Sequence, residues 1–564
     1  MTPNLRAVAI VCGCALTLHA PLPGQSRAAT DQAGGRSYQI AGVVVDANSG
    51  ARLDHVEVVI APAGAEQYIA ATTTGEDGGF VFDDLQTGKY RLVASRRGYL
   101  TAAYEEHQGS FFTAIVTGPD SDTSHLRFQL SATAILSGSV IDDAGDPVAG
   151  AQVTLFRQNS AAGPGSVIRM KTDMADDVGF FEFSRLEPGV YFLSASARPW
   201  YAFHPQPRLR LLNGTPQEEE APKSPLDVAY PMTFYAATTD SDAATPISLQ
   251  AGDHPQISFA MHAVAAVQLR VKLPQPATDS PGRPPQGFYF PMLTQSVFGT
   301  TDNINPNSMS MNTVDGQSFA TISGLAPGAY TLEFQGGNGQ GHGATPIDLS
   351  GDQVLDSSSV AAGVDVSGSL TMGFGAKAPN DLSVTLALVN GRRRGIGQKV
   401  SENDGFTLHD VAPGLYELIV TGGGRQLPVL HIRAAGREIE GGRIQIGSEP
   451  VTLAATTAEG LATVNGFVKR NGQGLGGAMV VLVPRHPAAN PYLFRRDQSN
   501  SDGSFSMWRV VPGQYTLIAI EDGWELEWAR EGVLQKYLAQ GMQLDIREDT
   551  SKIDLSEAIE VQAR

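Results

Sequence analysis

The side chains of this 564-residue chain that could do chemistry are its eleven histidines, fifty-eight carboxylates, two cysteines and four tryptophans. A hydrolytic zinc site needs three protein ligands and one position left for water, commonly His-x-x-Glu plus a distant His. None of the eleven histidines has Asp or Glu three residues later. His55-Val-Glu57 has the wrong spacing, and its other ligands are absent. There is no Gly-x-Ser-x-Gly elbow and no Gly-x-x-x-x-Gly-Lys-Ser/Thr phosphate loop. The expectation is a chain with no catalytic residue, no cofactor and no metal. Two acidic loops, Asp142-Asp143-x-Gly-Asp146 and Asp173-x-x-Asp176-Asp177, have the oxygen chemistry that calcium takes. Asp and Gly are also ordinary turn residues, and these loops read as solvated turns.

The tryptophans point to a different chemistry. Sugars stack on exposed aromatic faces while polar groups meet their hydroxyls. Trp200-Tyr201 is an aromatic pair in a loop, and Trp524 and Trp528 stand four apart near Tyr537. These five are the candidate glycan contacts. Spacing of four also suits helix packing, and Glu525–Gln540 is the one plausible short helix.

Composition bounds the rest. The chain carries net charge −18, with 42% hydrophobic and 17% charged residues. That is enough apolar material for several cores, and no basic stripe for nucleic acid or an anionic membrane. Arg392-Arg393-Arg394 reads as a solvated hairpin tip. Residues 1–29 read as a signal peptide, with Arg6 ahead of the apolar run Ala7–Leu18. Cys12 and Cys14 both lie within it, and Cys12 is out of pattern for a lipid anchor at Cys14. No later stretch is long and apolar enough to span a membrane. The mature chain is expected to be exported to the periplasm, cell surface or medium, without thiol chemistry.

The strongest signal is internal repetition. Five segments place Leu or Val, Gly and Tyr at offsets 0, 3 and 5: Leu85-Gly88-Tyr90, Leu186-Gly189-Tyr191, Leu325-Gly328-Tyr330, Val411-Gly414-Tyr416 and Val510-Gly513-Tyr515. The flanks alternate in and out, as in Phe80/Phe82 and Tyr90/Leu92, which predicts paired strands. Pro precedes Gly in four of the five, which predicts a turn with Gly at positive φ. Tyr two residues on is expected to cover that turn, with its ring buried and its hydroxyl on backbone. Upstream lies a second shared piece: Ile40-Ala-Gly42-Val-Val-Val45-Asp46, Leu136-Ser-Gly138-Ser-Val140 and Val464-Asn-Gly466-Phe-Val468, each followed by a turn and a strand.

Gly-x-Val-x-Asp, then Gly-x-Pro-Val-x-Gly-Ala-x-Val-x-Leu, then Gly-x-Phe-x-Phe-x-x-Leu-x-Pro-Gly-x-Tyr resembles the carboxypeptidase regulatory-like domain. The resemblance is good for the first, second and fifth units and partial for the other two. It implies a prealbumin-like Greek-key β-sandwich, akin to collagen-adhesin repeats and the carbohydrate-binding-like fold. It implies an accessory domain rather than a peptidase, and says little about function. The cross-linking lysine of the collagen-adhesin relatives is missing from the first strand, Tyr38–Asp46.

The expected architecture is all-β, with sandwiches at residues 38–132, 133–262, 263–360, 361–448 and 460–564, the third and fourth degenerate. Short joins near 131–134 and 448–460 predict a semi-rigid rod. The expected function is an exported, non-catalytic envelope protein that binds, adheres or scaffolds, with a glycan or an envelope protein as partner. A carbohydrate-binding protein in polysaccharide capture is the alternative, and an accessory subunit of a secreted hydrolase is a further one.

Overall fold

The computed structural model describes residues 37–564, except 120, 160–166, 206–207, 213–214, 220–223, 274–289, 305–307, 315–316, 336–340, 357–362, 374–376, 390–395, 402–403, 440–441, 460–461, 488–492, 529 and 531. The signal-peptide reading at 1–29, with Cys12 and Cys14, and the Arg392–Arg394 run lie outside the described residues. The chain is all-β, built as a series of two-sheet sandwiches.

Each unit repeats one plan. In the first, the opening strand Tyr38–Asp46 lies at the centre of one sheet. It pairs antiparallel with Gly79–Leu85 and parallel with the closing strand Leu126–Leu130. The chain then crosses to the second sheet, where Gly88–Ser95 pairs with Glu57–Pro62. The same central and crossing strands recur as Ala134–Ile141 and Gly189–Ser196, Val267–Lys272 and Gly328–Gln335, Val364–Met372 and Gly414–Gly422, and Ala462–Arg470 and Gly513–Ile520. Alternating apolar residues from both sheets fill five separate cores.

The crossing is fixed by the repeated tyrosine. The rings of Tyr90, Tyr191, Tyr330, Tyr416 and Tyr515 are buried in their cores. Each hydroxyl donates to the carbonyl four residues upstream, on Gln86, Glu187, Ala326, Ala412 and Val511, at 2.6–3.0 Å. In the fourth unit the glycine two residues before it is needed for space. A Cβ on Gly414 would sit 2.9 Å from Leu388 Cδ1 and 3.3 Å from the Tyr416 ring.

The expected positive φ is found at two of these glycines, and a left-handed residue also stands elsewhere. Gly88, Gly189 and Gly414 are outside the left-handed region, and Gly328 and Gly513, at 158° and 155°, stand at its extended margin. The left-handed residue precedes the repeated Leu or Val: Asp84, Arg185, Gly324 and Arg509 have φ of 57°, 57°, 73° and 55°. The pairing register slips at this point in every unit. The sharp change of direction is therefore a β-bulge before the corner, not the Pro-Gly step within it.

A second glycine explains the upstream motif. Gly42, Gly138, Gly368 and Gly466 lie opposite Phe80, Phe181, Phe406 and Phe505. A Cβ on Gly138 would be 2.1 Å from the Ile257 carbonyl oxygen and 2.8 Å from the Phe181 ring. The third unit exchanges volumes, with Val271 facing Ala320.

Three expectations need correction. The stretch 525–540 is not one helix. A 3-10 turn at Gly523–Glu525 precedes it, and it holds a single α turn at Gln535–Leu538, the two separated by Gly532 at φ 83°. Val451–Thr457 is not a linker. It is the parallel closing strand of the fourth sandwich, which runs past the expected end at 448. The chain is not an open rod, because the first and last sandwiches touch, as described below.

The glycine–phenylalanine exchange makes a prediction. Gly138→Ala should destabilise the second sandwich by about 1–3 kcal/mol through overpacking. Ala320→Phe should do the same to the third, and adding Val271→Gly should recover part of the loss as a coupling of about 0.5–3 kcal/mol. Hydrogen exchange of the affected core strands checks both; additive single effects would refute the exchange.

Candidate functional site

The predicted aromatic residues divide into two groups. Trp200 is 87% exposed in the loop after Gly189–Ser196, and Tyr201 meets it edge to face at 5.7 Å and 89°. This pair offers open ring surface. Trp524 is only 6% exposed and Tyr537 only 3%. Both, with Leu534, cover the outer face of the sheet formed by Met479–Pro484 and Gly513–Ile520. That cover explains why Met-Val-Val-Leu-Val-Pro is apolar on both faces of one strand. Trp524 also donates Nε1–H to the Gly477 carbonyl at 3.0 Å. Neither Trp524 nor Tyr537 presents a ring face to a sugar, which corrects their reading as glycan contacts. Trp528 packs on Phe494 and lies under the Arg496 guanidinium, 4.2 Å from its ring centre.

These residues meet the first sandwich. His107 stacks on Trp524 at 5.1 Å and 11°, and Phe111 packs against the same indole at 4.7 Å. Arg496 sits among Phe111, Trp524 and Trp528 and donates to Gln108 Oε1 at 3.0 Å. Burial lowers its pKa to about 10, so the guanidinium stays charged and is held by aromatic faces. Gln498, 2% exposed, donates Nε2–H to Glu105 O and Thr113 Oγ1 and has His107 Nδ1 2.9 Å from its Oε1. Backbone joins as well: Ser501 N–H donates to Ala114 O, and Val116 N–H donates to Ser501 Oγ. The contact is buried, aromatic and fully paired at Gln498.

Neighbouring sandwiches are also pinned. Phe298 of the third sandwich lies 4.9–5.4 Å from Phe156, Phe192 and Phe234 of the second. Arg169 forms an ion pair with Asp302 across the same boundary. Asn48 of the first sandwich donates to Ala251 O of the second at 3.1 Å.

The acidic loops are turns. Asp142 Oδ1 accepts from Ala144 N and Asp146 N, and Asp176 Oδ1 accepts from Val178 N and Phe180 N. Asp143 pairs with His262. Among the described residues no three His, Asp or Glu converge as a metal would require.

The comparisons can now be read against this geometry. Residues 39–131 match the model of the carboxypeptidase regulatory-like domain. The first sandwich is similar to that domain. Its described residues carry the opening strand, the corner at Tyr90, and the His107 and Phe111 rings that grip the fifth sandwich. No curated protein sequence matches the chain. Solved structures similar to it include the Bacillus anthracis TIE protein, at 11% identity and TM-score 0.17, covering 77% of this chain and 76% of that one. Shaft pilin SpaA from Lactobacillus rhamnosus GG has 10% identity and TM-score 0.18, covering 41% and 98%. GBS52, the minor pilin of Streptococcus agalactiae, has 15% identity and TM-score 0.18, covering 43% and 100%. At those scores the likeness adds nothing to the reading of this chain's function.

Sequence reading missed His107, Phe111, Arg496 and Gln498, which no local spacing connects to Trp524. It also passed over Trp508 and Phe467, which the structure leaves exposed.

Two predictions follow from the terminal contact. His107→Ala with Phe111→Ala removes rings from the first sandwich without touching the core of the fifth. Small-angle scattering should show a larger radius of gyration, and acrylamide should quench tryptophan more readily; an unchanged profile would refute closure. The second concerns Asp497, whose carboxyl is pushed up to about 6 by burial beside Lys89. The folded chain holds this proton more tightly than the unfolded chain. The carboxyl's effect on stability is therefore absent below about pH 3.8, grows unfavourable as pH rises, and is complete above about 6. Asp497→Asn should raise the stability of the fifth sandwich at pH 7.5 by up to about 3 kcal/mol and flatten its profile between pH 4 and 7. Calorimetry across that range is the check.

Proposed function

We propose that this chain is an exported, non-catalytic envelope protein that holds five β-sandwich domains in a fixed arrangement and acts as a binding, adhesive or scaffold protein. The contact between the first and last sandwiches carries this reading. Burying Gln498 and stacking Trp524 on His107 costs conformational freedom that a flexible tether would keep. A closed chain instead presents its outer faces at set positions, which suits a partner touching more than one domain. No helix among the described residues is long and apolar enough to cross a membrane.

A second reading is glycan capture, and one observation favours it. The Trp200 ring is exposed in its loop, outside any core, beside the half-buried Tyr201. The two readings separate by measurement. The immobilised full chain is offered isolated cell envelopes, before and after protease treatment, and a glycan array. Saturable binding that protease abolishes, and that Trp200→Ala leaves intact, is expected for the scaffold. Binding to glycans that Trp200→Ala weakens about tenfold is expected for capture. Multiple turnovers on peptide or polysaccharide substrates would overturn both.

A further inference from the structure

The closed arrangement creates a cleft of about 810 Å³ between the first and fifth sandwiches. One wall is Pro62, Gly64 and Lys89. The other is the outer face of the fifth sandwich, where Asn465 and Phe467 on one strand lie beside Ser504, Ser506 and Trp508 on the next. Trp508 is 71% exposed and Phe467 is 50% exposed. Neither ring belongs to a core.

The repeats show that neither ring is demanded by the fold. Trp508 occupies the first bulge position before the corner. The same position holds Asp83, Ser184, Ser323 and His409 in the other units. Phe467 follows the glycine that faces the buried phenylalanine, and Val43, Ser139 and Ser369 stand there in the first, second and fourth units. Four other copies fold without Phe, Tyr or Trp at either place, so the pair needs another explanation.

Polar groups surround the rings in a fixed order. Trp508 donates Nε1–H to Ser506 Oγ at 2.7 Å, and Ser506 Oγ donates to Asn465 Oδ1 at 2.7 Å. Asn465 Nδ2 donates to Asp554 Oδ1 at 2.8 Å, and Lys552 pairs with the other Asp554 oxygen. The indole's one polar atom is engaged, so what it offers solvent is carbon. Across the cleft, Lys89 Nζ donates to Ser504 Oγ at 2.9 Å. The charges in and beside the cleft, Lys89 and Lys552 against Asp497 and Asp554, cancel, so neither a polyanion nor a polycation is favoured.

We propose that this cleft binds a neutral polysaccharide, with Trp508 and Phe467 stacking on sugar faces and Asn465 and Asp554 meeting hydroxyls. Rings beside prearranged amide and carboxylate groups match a ligand whose faces are apolar and whose rim is hydroxylated. The register places the two rings about four residues apart along the strands, or ~13 Å. A single monosaccharide does not reach both, so the ligand is a chain. The proposal goes beyond the glycan reading above: it shares the ligand class but places the ligand at a different site from Trp200–Tyr201, and stands on Trp508 and Phe467.

The test is affinity electrophoresis of the full chain through gels containing xyloglucan, galactomannan, starch or a β-1,3-glucan, with alginate as the acidic comparison. Trp508→Ala, Phe467→Ala and Trp200→Ala are run beside wild type, and an unchanged melting profile establishes that each is folded. The expected result is retardation by at least one neutral gel, weakened about tenfold by Trp508→Ala, less by Phe467→Ala, and not by Trp200→Ala. Retardation lost in Trp200→Ala but kept in Trp508→Ala would overturn this cleft and leave the glycan reading standing. No retardation by any neutral gel, or retardation by alginate alone, would overturn both the cleft and that reading.

Discussion

One hydrogen bond and the ring that carries it organise the molecule. At each crossing between sheets, a tyrosine folds back over a glycine and donates its hydroxyl to the carbonyl four residues earlier. The carbonyl belongs to a chain that has just left one sheet, and at Gln86 it accepts from Thr117 Oγ1 as well. Left unpaired in a core wall, such a group would cost about 1–3 kcal/mol. The tyrosine satisfies it while filling the gap between sheets with apolar ring. The preceding bulge turns the chain, and the facing Gly and Phe of the opening strand let the other sheet close over the core. Bulge and corner recur in all five units, and the glycine window joins them in four.

That repetition made the architecture legible in sequence. Leu or Val, Gly and Tyr keep their spacing because each has a local geometric duty. Alternating Phe80/Phe82 and Tyr90/Leu92 mark half-buried strands in the same way. The left-handed residue before the corner was missed because Pro-Gly is the usual signature of such a turn, whereas here Asp84, Arg185 and Arg509 adopt that conformation despite their side chains. The closing strand Val451–Thr457 was read as a join because Val-Thr-Leu-Ala-Ala-Thr-Thr is only weakly alternating and its partner lies some eighty residues away.

The site residues were harder, for a physical reason. Trp524 and Trp528 at spacing four fit a helix stripe, yet Gly532 and the turns around it break the helix, and their burial comes from the sheet beneath and from His107 and Phe111, more than 400 residues earlier. Contacts at that separation leave no periodic trace. Trp508 was hidden by the motif itself, since it falls between Met507 and Val510, two positions of the repeated pattern just before the corner. Setting the five copies side by side at that one position, against Asp83, Ser184, Ser323 and His409, is the signal that isolates it.

The docking of the fifth sandwich on the first also bears on mechanics. In a row of domains, tension applied between Tyr38 and Arg564 passes through every join in series, and the weakest yields first. Here the Gln498, Ser501 and Trp524 contacts offer a short parallel route from the first domain to the last. Pulled from its two ends, the chain would strain this interface before the intermediate domains felt much of the force. Rupture would release the slack of the three sandwiches between, turning a compact particle into a longer tether without unfolding any domain.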